Sequence, residues 1–153
     1  MEVALQYARW ADTLGEVPVG AVIVKNNRIV STGMNEKETY QNVVLHAEIV
    51  AIQKACSALG SWRLDGCELY VTLEPCLMCA GAIYQSRIQR VVYATTDPKA
   101  GAMGSLYTIH QDTRLNHRLE VCLSSPHQEE ASQLLKNFFK KRRKNKTFKS
   151  CKT

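Results

Sequence analysis

Two short strings, His46-Ala47-Glu48 and Pro75-Cys76-Leu77-Met78-Cys79, bring an imidazole, a carboxylate and two thiols into one chain. One imidazole nitrogen and two thiolates can hold a zinc ion and leave its fourth tetrahedral position to water. Three protein ligands plus a water is the arrangement of catalytic zinc, whereas structural zinc recruits a fourth side chain. Glu48, two residues from the imidazole, adds a carboxylate, a group able to move a proton.

This chemistry makes demands on the elements that carry it. In a helix interior, positions i and i+2 point about 200° apart. His46 and Glu48 therefore share a pocket only at a helix start, and the apolar periodicity of Ile49, Val50, Ile52 and Ala55 begins just after them. Cys76 and Cys79 are spaced i, i+3, which puts both sulfurs on one face of a first helical turn. Unpaired N–H groups and the helix dipole lower a thiol pKa there. Two helix starts at one sheet edge would build the site.

The rest of the chain supplies such elements without repeats or low-complexity linkers. Val3, Leu5, Ala8, Ala11 and Leu14 are roughly helix-spaced, with Gly15 closing the segment. Gly20–Lys25 reads as a strand, Asn26-Asn27 as a tight turn and 28–33 as a second strand, together a hairpin. Ala47–Leu59 reads as a helix ended by Gly60, 69–73 as a short buried strand, and Pro75 as part of the first turn of a helix reaching Ser86. A strand over 91–95, a glycine-containing loop over 97–105, a strand over 119–123 and a long helix over 126–144 complete the pattern. It predicts an α/β protein, a mixed sheet of about five strands flanked by helices.

At 153 residues the chain is expected to form one domain over 1–144, with 145–153 as a basic flexible tail. The longest clean apolar run, 19–24, is far short of the ~20 residues of a membrane helix. The start, Met1-Glu2-Val3, lacks a secretory profile. Of six cysteines, Cys56, Cys67, Cys122 and Cys151 have no metal-like spacing and read as structural, so a reducing, cytoplasmic setting is expected. Charge is uneven: the segment from Lys136 to Lys152 holds nine of the 20 bases and no acid, while the preceding residues carry 11 bases against 14 acids. Such a run is either a solvated helix end or a phosphate-binding patch, and Phe138 and Phe139 beside it are either core contacts or stacking platforms.

Taken singly, each part has a plainer explanation. Cys76-x-x-Cys79 could be a redox pair or half a structural zinc site, Glu48 and Glu74 surface carboxylates, and His110, His117 and His127 ordinary polar residues. Together, His-x-Glu followed by Pro-Cys-x-x-Cys matches the pattern already established for zinc-dependent nucleobase deaminases.

The resemblance extends beyond that motif. Glu16-Val-Pro-Val-Gly-Ala-Val, His46-Ala-Glu, the run from Leu69 to Gly81, Ser86-Arg-Ile, the run from Asp97 to Ser105, Asn116-His-Arg and Phe138-Phe139 followed by bases occur in order along nearly the whole chain. The sequence is similar to the bacterial tRNA-specific adenosine deaminases of the cytidine deaminase-like superfamily. That similarity implies a three-layer cytidine deaminase-like fold and one Zn²⁺ per subunit held by His46, Cys76 and Cys79. It also implies a homodimer that converts the wobble adenosine of a tRNA anticodon stem-loop, typically of an arginine tRNA, to inosine. Zinc-bound hydroxide would attack C6, while Glu48 would take the water's proton, deliver it to N1 and later help protonate the departing ammonia. By the same resemblance Asn35 contacts the base or its ribose, the backbone of Ala47 orients the base, and Val19 and Leu73 wall the pocket. Asp97 and Lys99 lie near flanking nucleotides, and Phe139, Arg142 and Arg143 belong to the basic helix end that meets the anticodon.

The chain departs from that family at Val43-Val44-Leu45, bulkier than the usual run before the histidine, at Thr96, and in the short stretch before its first helix. A deaminase of free nucleosides, nucleotides or guanine would share the zinc site without needing the basic helix. A single-strand cytosine-editing enzyme would share it too. A non-catalytic RNA-binding module could keep zinc as a clip, with no use for Glu48.

Overall fold

The computed structural model describes residues 1–150, with side chains through residue 144. Helix α1 (Glu2–Thr13) leads into strands β1 (Gly20–Lys25) and β2 (Arg28–Met34), a one-turn helix α2 (Lys37–Tyr40) and helix α3 (Ala47–Leu59). Strand β3 (Cys67–Leu73), helix α4 (Leu77–Gln85), strands β4 (Arg90–Thr95) and β5 (Glu120–Leu123) and helix α5 (Gln128–Ser150) follow. Asn26 and Asn27, both at positive φ (50° and 59°), close the β1–β2 hairpin, as a turn matched to the strand twist requires. The expected flexible tail, 145–153, lies outside the described residues apart from the backbone of α5.

The five strands form one sheet in the order β2-β1-β3-β4-β5. β1 runs antiparallel to both β2 and β3, while β3, β4 and β5 are mutually parallel. Alternation along the strands turns Ala21, Ile23, Leu69, Val71, Val91 and Tyr93 to one face, against α3 and α4. On the other face Leu5 of α1 and Ala131 of α5 pack with Ala94. The result is three layers, α1 and α5, the sheet, then α3 and α4.

These strand directions decide where the chemistry collects. The ends of β2, β3 and β4 and the start of β1 all lie at one edge of the sheet, so residues just outside these strands share a region. In open α/β sheets the carboxyl ends of parallel strands are where ligands bind. Gly33 then lets α3 press down on this edge: a Cβ there would lie 2.3 Å from the carbonyl oxygen of Ala47 and 2.6 Å from the nitrogen of Ala51. Only a residue without a side chain permits that approach.

Two local expectations are corrected, and one element is new. Pro75 stands outside α4, because Cys76 caps the helix with extended backbone (φ −74°, ψ 175°) and forms an isolated antiparallel bridge with Gly101. Pro126 belongs to a separate 3-10 turn, Ser125–His127, ahead of α5. The turn of helix at Lys37–Tyr40 was not expected from the sequence at all, since four residues carry no readable period.

Candidate metal centre and catalytic cavity

His46 is the N-cap of α3 and Cys76 the N-cap of α4, each with extended backbone, so both side chains leave their helices at the first turn. Cys79 lies one turn into α4 and is fully buried. The Nδ1 atom of His46 lies 3.7 Å from Cys76 Sγ and 3.6 Å from Cys79 Sγ. The three donor atoms fall within 4.8 Å of one another.

A tetrahedral centre with Zn–S of about 2.3 Å and Zn–N of about 2.0–2.1 Å has N···S edges of about 3.5–3.6 Å. The spacing and the nitrogen-plus-two-sulfur donor set therefore fit a zinc-sized ion. Contact with the Cys79 thiol, outweighing the cost of burial, brings the Cys76 thiol down to about 4, with His46 adding to the effect. The same contact and burial push Cys79 up. Among the described residues no other group of His, Cys, Asp and Glu side chains meets as a metal-sized cluster. His110, His117 and His127 stay apart, His117 bonding the carbonyl of Ile88 and His127 meeting Ser124 and Glu2.

Glu48, the second residue of α3, is 4% exposed and borders the cavity beside His46. Burial raises its pKa to about 6, against the opposing pull of hydrogen bonds and of His46. A carboxyl poised near neutrality can both accept and return a proton.

Two further buried carboxylates hold the surroundings. Glu74, one of the expected surface-type acids, is 2% exposed. It accepts the N–H groups of Asp97 (2.9 Å), Met103 (3.0 Å) and Ser105 (2.9 Å), and the Ser105 hydroxyl. Burial alone would raise its pKa, but these bonds outweigh it and hold the carboxylate low. Gly101 passes so close that a Cβ would lie 2.3 Å from the Glu74 carboxyl carbon. Glu74 is thus the anchor of loop 97–105. Glu16 plays the same part on the other side, between Asn35 and α2.

A cavity of about 200 Å³ opens over the cluster. Of the residues expected at the site, Val19, Asn35, His46, Ala47, Glu48, Leu73, Cys76 and Asp97 line it. A larger groove of about 570 Å³ adjoins it, sharing Val17, Leu73 and Asp97 and continuing over Lys99, Phe139 and Arg143. Phe139 is exposed, whereas Phe138 is a core contact. Asp97 also caps its own loop, accepting the N–H groups of Lys99 (2.9 Å) and Ala100 (3.3 Å). Arg142 lines neither space: its guanidinium sits 5.5 Å from the Phe138 ring centre and donates to Glu38 at 3.2 Å.

Sequence reasoning missed Glu16 and Lys37, the latter a cation on the cavity wall. No spacing rule marks either residue. The signal for Glu16 was only its place in the Glu16-Val-Pro-Val-Gly string.

Comparison with known proteins agrees with this geometry. The family model of the MafB19-like deaminases matches residues 1–143. The tRNA-specific adenosine deaminase of Bacillus subtilis is 47% identical over 146 residues, covering 95% of this chain and 90% of that protein. The tRNA-specific adenosine deaminase of Aquifex aeolicus is 46% identical over 145 residues, 95% of each. A structure solved in a study of A-to-I editing by tRNA:A34 deaminases superposes with a TM-score of 0.84 at 42% identity, covering 88% of this chain and 97% of that one. A Bacillus subtilis guanine deaminase reaches 0.61 at 44% identity over 62% and 61% of the two chains. From a sheet that gathers one histidine, two cysteines and a buried glutamate at a single edge, and from relatives this similar over nearly full length, the chain belongs to the MafB19-like deaminases and to the tRNA-specific adenosine deaminases.

Proposed function

We propose that this enzyme hydrolytically deaminates the wobble adenosine of a tRNA anticodon, that of an arginine tRNA, to inosine. The observation that carries the reading is the continuity of the small cavity over His46, Cys76, Cys79 and Glu48 with a basic, aromatic groove. At about 200 Å³ the cavity is below the ~300 Å³ lower end of sites for drug-sized ligands, so it suits a single base. The adjoining groove then takes the polymer that carries that base.

His46, Cys76 and Cys79 would hold one Zn²⁺ per subunit, which supplies a water acidified toward neutral pKa when bound. Glu48 accepts one proton of the attacking water and passes it to N1 of the adenine, then takes the second from the new C6 hydroxyl and delivers it to the amino group, which departs as ammonia. Val19 and Leu73 wall the base, while Asn35 and the backbone of Ala47 orient it. Asp97 and Lys99 face the flanking nucleotides. Phe139 offers a ring for stacking, and Arg142 and Arg143 meet the anticodon backbone. An anticodon base is already partly unpaired, so its extrusion costs less than from a duplex. Residues 1–144 would constitute the deaminase domain, and the enzyme would act in the cytoplasm.

The homodimer is part of the same proposal. Leu77, Leu106 and Tyr107 are 48%, 53% and 50% exposed. They are close to the metal cluster, because Leu106 N–H bonds the carbonyl of Gly101, the bridge partner of Cys76. No helix among the described residues is long and apolar enough to cross a membrane.

A second reading, deamination of a free purine such as guanine, is favoured by the partial match to a guanine deaminase. Mass spectrometry of nuclease digests separates the two. Inosine formed in an anticodon stem-loop with A at the wobble position, with free adenosine, cytidine and guanine untouched and Glu48→Ala as blank, supports the tRNA reading. Turnover of free guanine with an unreacted stem-loop overturns it.

A further inference from the structure

Glu16 lies in the connection between α1 and β1, outside the metal cluster, and is 1% exposed. Its carboxylate is enclosed by donors. One oxygen accepts the Nδ2 of Asn35 at 2.8 Å and the N–H of Glu38 at 3.2 Å; the other accepts the N–H (2.6 Å) and hydroxyl (2.8 Å) of Thr39. Burial alone would raise its pKa, yet these bonds prevail and hold it below the ordinary value, so the group is ionised at neutral pH.

An ionised carboxylate can only accept, and this settles which end of the Asn35 amide faces it. One amide hydrogen is committed to Glu16. Asn35 can therefore offer a ligand in the cavity its carbonyl oxygen and its remaining amide hydrogen, in one fixed orientation. The same carboxylate bonds the N–H groups that open α2, the helix that carries Lys37 on the cavity wall. One buried acid thereby ties the base-facing amide to the rim of the cavity.

We infer that Glu16 is a positioning residue for substrate recognition, acting through Asn35 by locking its amide in the orientation that reads the base or its ribose. The inference rests on the proposed role of Asn35 in binding the substrate. Glutamine in place of Glu16 has the same shape but turns one acceptor into a donor. At one oxygen it faces the N–H of Thr39. At the other it faces the N–H of Glu38, and Asn35 must reverse to accept from it. A reversed Asn35 presents the wrong polarity to the cavity.

The test is a double-mutant cycle of Glu16→Gln and Asn35→Ala, read as KM and kcat on an anticodon stem-loop with A at the wobble position. Zinc content and Tm are recorded for every variant. Each single variant is expected to raise KM roughly 10–100-fold, the scale of one mispaired buried polar group. Because Glu16 acts through Asn35, the double variant is expected to match Asn35→Ala alone. Full additivity, or an unchanged KM in Glu16→Gln beside a raised one in Asn35→Ala, overturns the positioning role and keeps Asn35 as a substrate contact. An unchanged KM in Asn35→Ala removes the underlying reading and the inference with it. Should Glu16→Gln not fold, Glu16→Asp takes its place: it keeps the charge and both acceptors but withdraws from Asn35 by one methylene, with the same non-additivity expected.

Discussion

Around the metal cluster, the carboxylates of Glu16, Glu48 and Glu74 are buried. His46 and Cys76 cap helices, Glu48 follows in the same first turn, and Glu74 and Glu16 are wrapped by N–H donors. Along α5 the arrangement is the reverse: Lys136, Lys140, Lys141, Arg142, Arg143 and Lys144 all face solvent. Exposed Lys141 reaches half-buried Asp12 at 3.3 Å, and Arg142 and Glu38, both exposed, meet at 3.2 Å. Exposed pairs of this kind contribute about 0–1 kcal/mol and are screened by salt. The cluster end is thus built for fixed geometry, and the basic end is a solvent-facing array of cations.

Removing a ligand should break this contrast most severely. Cys79→Ala is expected to lower zinc, measured by elemental mass spectrometry, from one per chain to near zero, with deamination at background. Glu48→Ala should keep the zinc and lower kcat by about 10²–10⁴-fold, the usual scale for a positioned proton-transfer group. A variant that retained full turnover would deny Glu48 that role.

The backbone's part is tested without touching a ligand. Gly33→Ala puts a methyl group where Ala47 already lies, 2.3 Å from its carbonyl oxygen. Overpacking of this kind costs about 1–3 kcal/mol, or roughly 2–12 °C in Tm for a chain of this size. It should also weaken zinc binding, because His46 caps the displaced helix. Unchanged zinc affinity would show that the cluster does not depend on the seat of α3.

At the basic end, replacing Arg142 and Arg143 by Ala should raise the Kd for an anticodon stem-loop and flatten its salt dependence. The slope of log K against log salt should fall by roughly 0.7 for each phosphate that is no longer neutralised. Zinc content and kcat at saturating RNA should not move. The smallest effect is a pH dependence of stability. The pKa of Glu16 is lowered on folding, so its contribution is fully present above the unfolded value of 4.5 and lost as pH falls through the lower folded value. Tm of the unaltered chain should fall more steeply than that of Glu16→Gln as pH drops below 4.5.

The two ends also differ in how far they can be read before folding. Local helix and strand signals were strong: the hairpin turn at Asn26-Asn27, the helix over Ala47–Leu59 and the Cys76-x-x-Cys79 pair follow from short-range spacing, whereas His46, 30 residues from Cys76, was joined to them only by the known motif. Ligands at a helix start are readable because a single turn sets their directions. The buried state of Glu74 was not, because its partners are 23 to 31 residues away, on the loop 97–105. Nor was the position of Arg142, whose partner Glu38 is 104 residues distant.

By itself, then, the sequence determined the candidate donors His46, Cys76 and Cys79, the carboxylate of Glu48 two residues from the imidazole, the order of the longer helices and strands and the basic run, since each is read from residue type and local pattern. The tertiary structure alone decided that β1, running antiparallel to β3, brings Val19 and Asn35 to the edge where Leu73 and Cys76 emerge. It alone made Glu16 and Glu74 into anchors and joined the small cavity to the groove along α5. Those outcomes depend on strand pairing and on close approach of backbone across the sheet. Both are properties of the folded chain, which no periodicity along it encodes.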